Sequence, residues 1–346
     1  MNFTFWVTDN CNLSCRYCYV DRLSDRSDSM TVETAEAAIK YTVSHFEKYK
    51  NANDSLMIGF HGGEPLLRFD LIRYIVAQYE KIAQAKGFHI TYTLTTNGTL
   101  IDPDVTTFLN QHKVAVTISI DGTPETHDLQ RPFKNGKNSH ELVIKNVIAM
   151  LDHDPYLRIR MTLTPDTIDK LHEDIMYLLD RGCKVIVPAL DYYDPDWTEN
   201  NMNVMEGQLK KVIQQTRDRE DLLIAMLNED FRPKDKCTVG INTLHISPAG
   251  DLYPCVLAVG DRSFLIGDIY QGIDQANRDL IINMSDKEND ICLGCRLYGS
   301  CEGVRCKIVN KIYTGDYCKP CGTQCAVENI KWAIKKSALA ASVLHT

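Results

Sequence analysis

Cys11, Cys15 and Cys18 stand close to the amino terminus in the spacing CxxxCxxC. Three thiolates this close in one loop can hold three corners of an iron–sulfur cube, for which four cysteine ligands are the norm. The fourth iron then stays open for an outside ligand, and an open iron implies chemistry rather than simple electron storage. The alternative, three buried or zinc-bound cysteines, has to account for the further motifs and thiols down the chain. The chain holds 13 cysteines, an odd number, and nine of them fall between Cys237 and Cys325. Metal binding explains that count better than disulfides do, because a cytoplasmic setting keeps thiols reduced.

Other residues along the first half could share that chemistry. Glu64 lies in Gly62-Gly63-Glu64-Pro65, a carboxylate at a strand end where two glycines let the backbone approach a ligand. Thr96 and Asn97 precede a Gly, and Ser119 and Asp121 in Ser-Ile-Asp-Gly offer a hydroxyl and a carboxylate suited to a ribose or a substrate. Cys183, alone before an apolar run, reads as a core residue.

Short apolar runs alternating with amphipathic stretches must position these groups. Strands are expected at Phe3–Val7, Ser55–His61, His89–Thr95, Val114–Ile120, Arg158–Leu163 and Lys184–Leu190. Helices are expected from a Thr31 cap to about Tyr49, then Asp70–Lys86, Pro103–Gln111, Ser139–Leu151 and Ile168–Arg181. Strands alternating with helices imply a parallel sheet with right-handed crossovers. Residues 1–195 are too few for an eight-unit barrel of about 250 residues, so a partial (β/α)6 TIM-like barrel is the expected fold. In such sheets the loops after strand C-termini build the site, and all four motifs follow strand ends. Residues 196–236 read as a linker, helical from Met205 to Leu227, and 237–346 as a cysteine-rich domain. That domain would open with a hairpin, Leu244–Ser247 and Leu252–Leu257, and end in a helix over Ala326–Lys336.

At 346 residues and 44% hydrophobic content the chain can build a sizeable core. With 46 acidic against 38 basic residues its net charge is −8, which argues against nucleic acid or an anionic membrane as the main partner. MNFTFWVTDN has neither a basic n-region nor a long apolar run, and no stretch of about 18 apolar residues could span a bilayer. A cytoplasmic location is expected.

CxxxCxxC with Tyr17 before its last Cys, Gly62-Gly63-Glu64-Pro65 and Ser119-Ile-Asp121-Gly make the chain resemble the radical S-adenosylmethionine (SAM) enzymes. The second cysteine array extends the resemblance to the whole chain. Cys237-x12-Gly250-x4-Cys255, then Cys292-x2-Cys295-x5-Cys301, Cys306, Cys318, Cys321 and Cys325 look like the SPASM extension of that family. The resemblance implies a SAM-binding [4Fe–4S] cluster on Cys11, Cys15 and Cys18, and two auxiliary [4Fe–4S] clusters. Cys237, Cys255 and Cys306 would ligate the first auxiliary cluster, and Cys292, Cys295 and Cys301 the second. Remaining ligands would come from Cys318, Cys321 and Cys325, with Cys325 preferred for the second cluster because it opens the expected C-terminal helix. Two departures stand: Cys301 to Cys306 is x4 where the family has x3, and nine cysteines face eight ligand positions. A zinc ribbon, Cys292xxCys295 with Cys318xxCys321, is the rival reading. The resemblance further implies that the GGEP motif meets the SAM amino group, that Tyr17 stacks near adenine, and that Arg131 meets the SAM carboxylate. Thr96, Asn97, Ser119 and Asp121 would contact ribose or carboxylate.

The implied chemistry is reductive cleavage of SAM to a 5′-deoxyadenosyl radical, which abstracts a substrate hydrogen, with auxiliary clusters taking up the second electron. SPASM-bearing enzymes mostly modify peptides and proteins, so a thioether or carbon–carbon cross-link in a ribosomal peptide is the expected product. Formylglycine formation in a sulfatase is the alternative, weakened because Val256 stands where sulfatase-maturing members have an Asp after the cysteine matched by Cys255. Oxidation of a small molecule and a non-enzymatic zinc module that binds protein remain as other classes. Because the chain begins directly at the first strand, either a separate leader-peptide recognition protein or recognition by the barrel itself is expected, and an electron donor such as flavodoxin or ferredoxin is an expected partner.

Overall fold

Six strands alternate with helices from Asn2 to Leu190: β1 (Asn2–Thr8), α1 (Val32–Tyr49), β2 (Leu56–Gly62), α2 (Phe69–Lys86), β3 (Ile90–Thr96), α3 (Pro103–Gln111), β4 (Val114–Ser119), α4 (Pro124–Gln130), α5 (His140–Leu151), β5 (Arg158–Leu163), α6 (Leu171–Leu179) and β6 (Val185–Leu190). The computed structural model describes residues 1–22, 29–51, 55–228 and 231–343. It falls into two compact units that interleave along the chain. Unit 1 comprises Met1–Ser14, Cys18–Thr117 and Thr238–Met284; unit 2 comprises Cys15–Tyr17, Ile118–Cys237 and Ser285–Thr346. The expected boundaries near 195 and 237 divide the sequence in another way, and residues 229 and 230 of the expected linker lie outside the described residues.

In unit 1, β1 lies between β2 and β8 (Thr243–Ile246), parallel to both; β3 extends the sheet beyond β2, and β9 (Leu252–Tyr253) pairs antiparallel with β8. The register sorts the side chains cleanly, because successive residues of a strand point to opposite faces. Phe3, Phe5, Ile58, Phe60, Tyr92, Leu94, Leu244 and Ile246 share one face, and all are at most 5% exposed. They form the dry core under α1 and α2, where the Phe5 ring meets Tyr79 edge to face at 6.1 Å. Burying each such side chain contributes about 1.5–3 kcal/mol. The opposite face carries Asn2, Thr4, Trp6, Met57, Gly59, His61, Thr91, Thr93, Thr243 and His245 in the same registers, a mostly polar set broken by Trp6, Met57 and Gly59. Thr31 caps α1 by accepting the Thr34 N–H at 3.1 Å, and left-handed Gly87 ends α2.

In unit 2, β5, β6 and β7 (Leu223–Ile224) run parallel, and α7 (Glu199–Thr216) contacts both α6 and α11 (Gly322–Val343). The remaining helices are α8 (Gln275–Ser285) in unit 1, and α9 (Glu302–Arg305) and α10 (Lys307–Thr314) in unit 2. Four expectations are corrected. The second strand of the expected hairpin ends at Tyr253 rather than Leu257, and the chain turns into a 3₁₀ turn at Val256–Ala258. The helix expected over Met205–Leu227 starts earlier and stops at Thr216, because Thr198 and Asn201 form a capping box and the charged run Arg217–Asp221 offers no apolar face. The expected Ile168–Arg181 helix is a 3₁₀ turn at Ile168–Lys170 followed by α6. The C-terminal helix begins at Gly322, so Cys325 lies in its first turn and Cys321 precedes it. No helix among the described residues is long and apolar enough to cross a membrane.

Candidate active site

The end of β2 is zipped to the start of the cysteine loop. Gly63 N–H donates to Thr8 O at 2.9 Å and Glu64 N–H to Asn10 O at 2.8 Å. A Cβ on Gly62 would come within 2.1 Å of Thr8 O, and one on Gly63 within 2.3 Å of Asn10 O. Both glycines are therefore required by the backbone of the cysteine loop itself, a constraint inside the protein that the sequence reading had assigned to a ligand.

Glu64 is fully buried, and its carboxylate serves the next loop. Oε1 accepts from Leu66 N–H at 3.0 Å and Thr96 Oγ1 at 2.7 Å, and Oε2 accepts from Asn97 N–H at 2.7 Å. Burial pushes the carboxyl up to about 7 against these three bonds. Asn97, thus fixed, donates Nδ2–H to Cys11 Sγ at 3.6 Å and to Asn12 Oδ1 at 2.8 Å, while its Oδ1 accepts from Thr99 N–H at 3.0 Å. Leu13 N–H adds a second donor to Cys11 Sγ at 3.4 Å. Burial pushes the Cys11 thiol up and the Leu13 N–H pulls it down, with Glu64 and Cys18 nearby. Unit 1 thus brings Cys11, Cys18, Glu64, Thr96 and Asn97 into one network. Asn12 and Thr99 belong to it as well, and no sequence signal singled them out.

A second network lies in unit 2. Asp121, 1% exposed, accepts Tyr17 O–H at 2.5 Å and Arg131 Nε–H at 2.9 Å on Oδ2, and Thr162 N–H at 2.9 Å on Oδ1. The Arg131 guanidinium also stands 5.1 Å from the centre of the Tyr17 ring. Burial opposes the charge on Arg131, but Asp121, with Tyr17 and Cys15, outweighs it and holds the guanidinium protonated. Among the described residues only Nε of Arg131 is engaged, which leaves both terminal nitrogens for an anion. Sequence reasoning missed His127 and Ser139. Ser139 Oγ donates to Arg131 O at 2.6 Å, so it accepts the His127 Nε2 proton at 3.0 Å, and His127 Nδ1 accepts the Asp121 N–H at 3.3 Å. Burial, then Arg131 and His140, hold His127 neutral. Ser119, half-buried, ends β4 two residues before Asp121.

Asp174 of α6 pins the loop after Asp121. It is 2% exposed and accepts Thr123 N–H at 2.8 Å and Thr123 Oγ1 at 2.9 Å, and a Cβ on Gly122 would strike it at 2.2 Å. Burial pushes its carboxyl up to about 6, against the hydrogen bonds from Thr123 and Thr126. Between about pH 4 and this value the folded protein holds a proton that the unfolded chain has released. Stability therefore falls as pH rises through that window and stays at the lower level above it. Asp174→Asn keeps the Oδ1 acceptor without the charge. Its stability to urea is expected to fall less steeply than that of the parent across the window, with only the slope from Glu64 remaining, and to be higher at pH 8 by up to about 3 kcal/mol; a profile parallel to that of the parent would refute this.

The C-terminal thiols of unit 2 cluster around helix starts. Cys301 immediately precedes α9, Cys306 precedes α10, and Cys321 precedes α11 and accepts Gln324 N–H on its sulfur at 3.4 Å. Helix N-termini favour thiolates. Burial pushes Cys292 up, with Cys325 and Cys295 as neighbours, and Cys325 is also a neighbour of Cys301 and Cys321. Buried Lys307 donates to Cys318 Sγ at 3.8 Å, and Asn329 Nδ2 to Cys325 Sγ at 3.8 Å. Cys237 in unit 2 and Cys255 in unit 1 are half-buried and in no disulfide, and Cys183 is fully buried. Among the described residues no three His, Cys, Asp or Glu side chains surround a single metal-ion position. A cube takes one thiolate per iron and does not need such convergence. N–H donors on sulfur and thiols gathered by neighbouring turns fit a cluster better than a lone zinc ion.

Comparison with known proteins agrees. The model of the Radical SAM superfamily matches residues 7–177. The uncharacterized protein MJ0907 of Methanocaldococcus jannaschii is 32% identical over 72% of this chain and 82% of its own length. The radical SAM cyclopropyl synthase TigE of Paramaledivibacter caminithermalis is 24% identical over 89% of this chain and 68% of its own. The solved structure of anSMEcpe with bound AdoMet and the Cp18Cys peptide superposes with a TM-score of 0.80 at 19% identity, covering 99% of both chains, and so shares the fold. The α/β architecture with its parallel sheet, the three-thiol loop and these likenesses together make the chain an enzyme of the radical SAM superfamily.

Proposed function

We propose that the chain is a peptide maturase that uses SAM and a [4Fe–4S] cluster held by Cys11, Cys15 and Cys18. The observation that carries the cluster reading is the sulfur of Cys11, which receives Asn97 Nδ2–H from a loop braced by Glu64 and the Leu13 N–H of its own loop. Hydrogen bonds to cluster sulfurs are what a protein uses to tune its potential. Bound together there, cluster and SAM supply a carbon radical that removes a hydrogen atom from substrate. The chain's own residues bind and orient. Arg131 offers its terminal nitrogens to the SAM carboxylate, and Gly62 and Gly63 present backbone rather than side chain to the SAM amino group, because the Glu64 carboxylate faces inward. Tyr17, Thr96, Asn97, Ser119 and Asp121 shape the surroundings of ribose and adenine.

The domains are a radical SAM partial (β/α)6 barrel at 1–195, a linker at 196–236 and a SPASM domain at 237–346. Cys292, Cys295, Cys301 and Cys325 hold the second auxiliary cluster, a grouping supported by the mutual neighbourhood of these thiols. Cys237, Cys255 and Cys306 belong to the first by their spacing, with Cys318 or Cys321 completing it. A flavodoxin or ferredoxin supplies electrons, and either a separate protein or the barrel itself recognises the leader of the peptide.

Cross-link formation is favoured over formylglycine formation, because Val256 provides no carboxylate after Cys255. The likeness to a cyclopropyl synthase along most of the chain supports bond formation within the substrate. The test is mass spectrometry of short peptides encoded beside the gene and co-expressed with it anaerobically. A loss of two hydrogens that disappears in Cys15→Ala is the expected result. An unchanged mass in a preparation that cleaves SAM, with the small proteins encoded beside the gene co-expressed as well, would overturn the peptide reading.

A further inference from the structure

Lys307 opens α10 directly after Cys306, and it is 4% exposed. Its Nζ donates to Lys287 O at 2.6 Å, to Asn289 Oδ1 and to Cys318 Sγ at 3.8 Å. Among the described residues these three acceptors are its hydrogen-bonding set, and neither an Asp nor a Glu is one of them. Burial of a lysine is costly unless its charge is answered. A cation in the first turn of a helix also works against the helix dipole. Something at this place must favour a positive charge.

Tethering does not require it. Asn289 is fully buried, its N–H donates to Tyr298 Oη at 3.3 Å and its Nδ2–H to Gly303 O at 3.4 Å. Asn310, also fully buried, donates Nδ2–H to Gly303 O at 2.8 Å and to Tyr317 O at 3.0 Å, which fastens the turn before Cys318 to α10. Neutral bonds thus already hold both segments that the lysine touches. The acceptors also fix its state. The Asn289 Nδ2 bond to Gly303 turns Oδ1 toward Lys307, so two of the three are oxygens that cannot donate. A sulfur bound to iron has lost its proton and can only accept as well. Three such acceptors use three N–H donors, the number an ammonium has and a neutral amine lacks. The cation reaches a second thiol: burial, then Cys325 and Cys295, push Cys292 up, while Lys307 and Asn289 pull it down.

We propose that Lys307 is the buried counter-charge of the auxiliary iron–sulfur sites, and that its ammonium raises the reduction potential of the cluster beside Cys318. Reduction by one electron makes a cluster and its thiolates more negative, and a fixed cation on a ligating sulfur favours that form over the oxidised one. The site so poised accepts an electron more readily. The inference rests on the auxiliary-cluster reading above, with Cys318 as the ligand that completes the first cluster, and adds a residue that the cysteine pattern does not identify.

The test uses the full chain carrying Cys11→Ala, Cys15→Ala and Cys18→Ala, so that only the auxiliary clusters load, about eight irons per chain. Their midpoints are read by EPR during anaerobic titration with dithionite. Lys307→Met removes the charge and keeps the length of the side chain. At the midpoint of the protein that retains Lys307, this variant is expected to show a ratio of reduced to oxidised cluster at least tenfold lower for one auxiliary signal, a fall of about 59 mV for one electron. Lys307→Gln, neutral but still an N–H donor, is expected to fall likewise, and Lys307→Arg, still charged, to stay near the original midpoint. Loss of a mere tether would admit water, which stabilises the more highly charged reduced form and moves the midpoint up. Midpoints that rise or stay in place in both neutral variants overturn the proposal. Should neither neutral variant load iron, loading in Lys307→Arg alone supports a required charge, and failure of all three overturns it. The two readings fail separately. A chain that retains Lys307 yet lacks the eight irons sinks the cluster reading, whereas eight irons with unmoved midpoints sink the role of Lys307 alone.

Discussion

Gly63→Ala is expected to strip the three-thiol loop of its cluster while leaving the C-terminal thiols loaded. The added methyl carbon would sit 2.3 Å from Asn10 O, 2.6 Å from Asn10 C and 2.7 Å from Asp9 O. These are backbone atoms one and two residues before Cys11, and they cannot swing aside as a side-chain tip could. Relief requires either that the end of β2 retreat, losing the 2.9 Å bond to Thr8 O and the 2.8 Å bond to Asn10 O, or that the cysteine loop move. Overpacking of this kind costs about 1–3 kcal/mol and at times more. Three thiolates that must meet one cube tolerate little displacement. With the three clusters proposed above, anaerobically reconstituted variant protein should fall from about twelve irons per chain to about eight, and SAM cleavage should vanish. The same substitution at Gly207, exposed in α7 with open space around its Cβ, should raise stability by about 0.5–1 kcal/mol. Full iron in Gly63→Ala would show that the zipped strand end does not position the loop.

The contrast between those two glycines shows how far the sequence can be read. Period-2 and period-3.6 patterns placed all six parallel strands to within a residue or two at each end, because burial of one face leaves its signature locally. GGEP stood out as a motif, but its purpose was not legible: which atom a glycine avoids depends on Asn10, some fifty residues away in sequence, and no local pattern encodes that meeting. Glu64 illustrates the same limit. A carboxylate at a strand end reads equally as a ligand contact or an internal brace, and only its burial and its bonds to Leu66, Thr96 and Asn97 show that it braces. Asp174 and His127 were missed because nothing in an amphipathic helix separates a pinning side chain from an ordinary polar one. Helix α4 was not expected from the sequence, although Thr123-Pro124 carries a start signal, since Thr caps a helix and Pro suits its first position. The late start expected for the last helix came from weighing its apolar run over Gly322, whose position at N1 the sequence leaves open.

Asp121→Asn is expected to unfold or badly weaken the protein, and Asp121→Asn combined with Arg131→Met to restore its stability without restoring SAM binding. Asp121 Oδ2 receives two donors, Tyr17 O–H and Arg131 Nε–H, and the paired Arg131 and Asp121 side chains are 7% and 0% exposed. An asparagine can keep Oδ1 on the Thr162 N–H, but its Nδ2 then faces the Arg131 guanidinium with a donor. Tyr17 can reverse its hydroxyl and accept; Arg131 has no such freedom, since a guanidinium only donates. A buried charge left unpaired costs about 3–5 kcal/mol, whereas replacing both members of a buried pair by groups of like volume is often nearly neutral. The urea midpoint of the double variant should therefore return to within about 1 kcal/mol of the parent. Equilibrium dialysis with labelled SAM separates structure from function. If the terminal nitrogens of Arg131 hold the ligand's carboxylate, the double variant binds SAM at least tenfold more weakly despite its recovered fold, by about 1.5–3 kcal/mol for a lost charge-assisted bond. Recovered binding in the double variant would leave Arg131 a brace for Asp121 alone and send the search for the carboxylate's partner elsewhere among the residues facing Cys15.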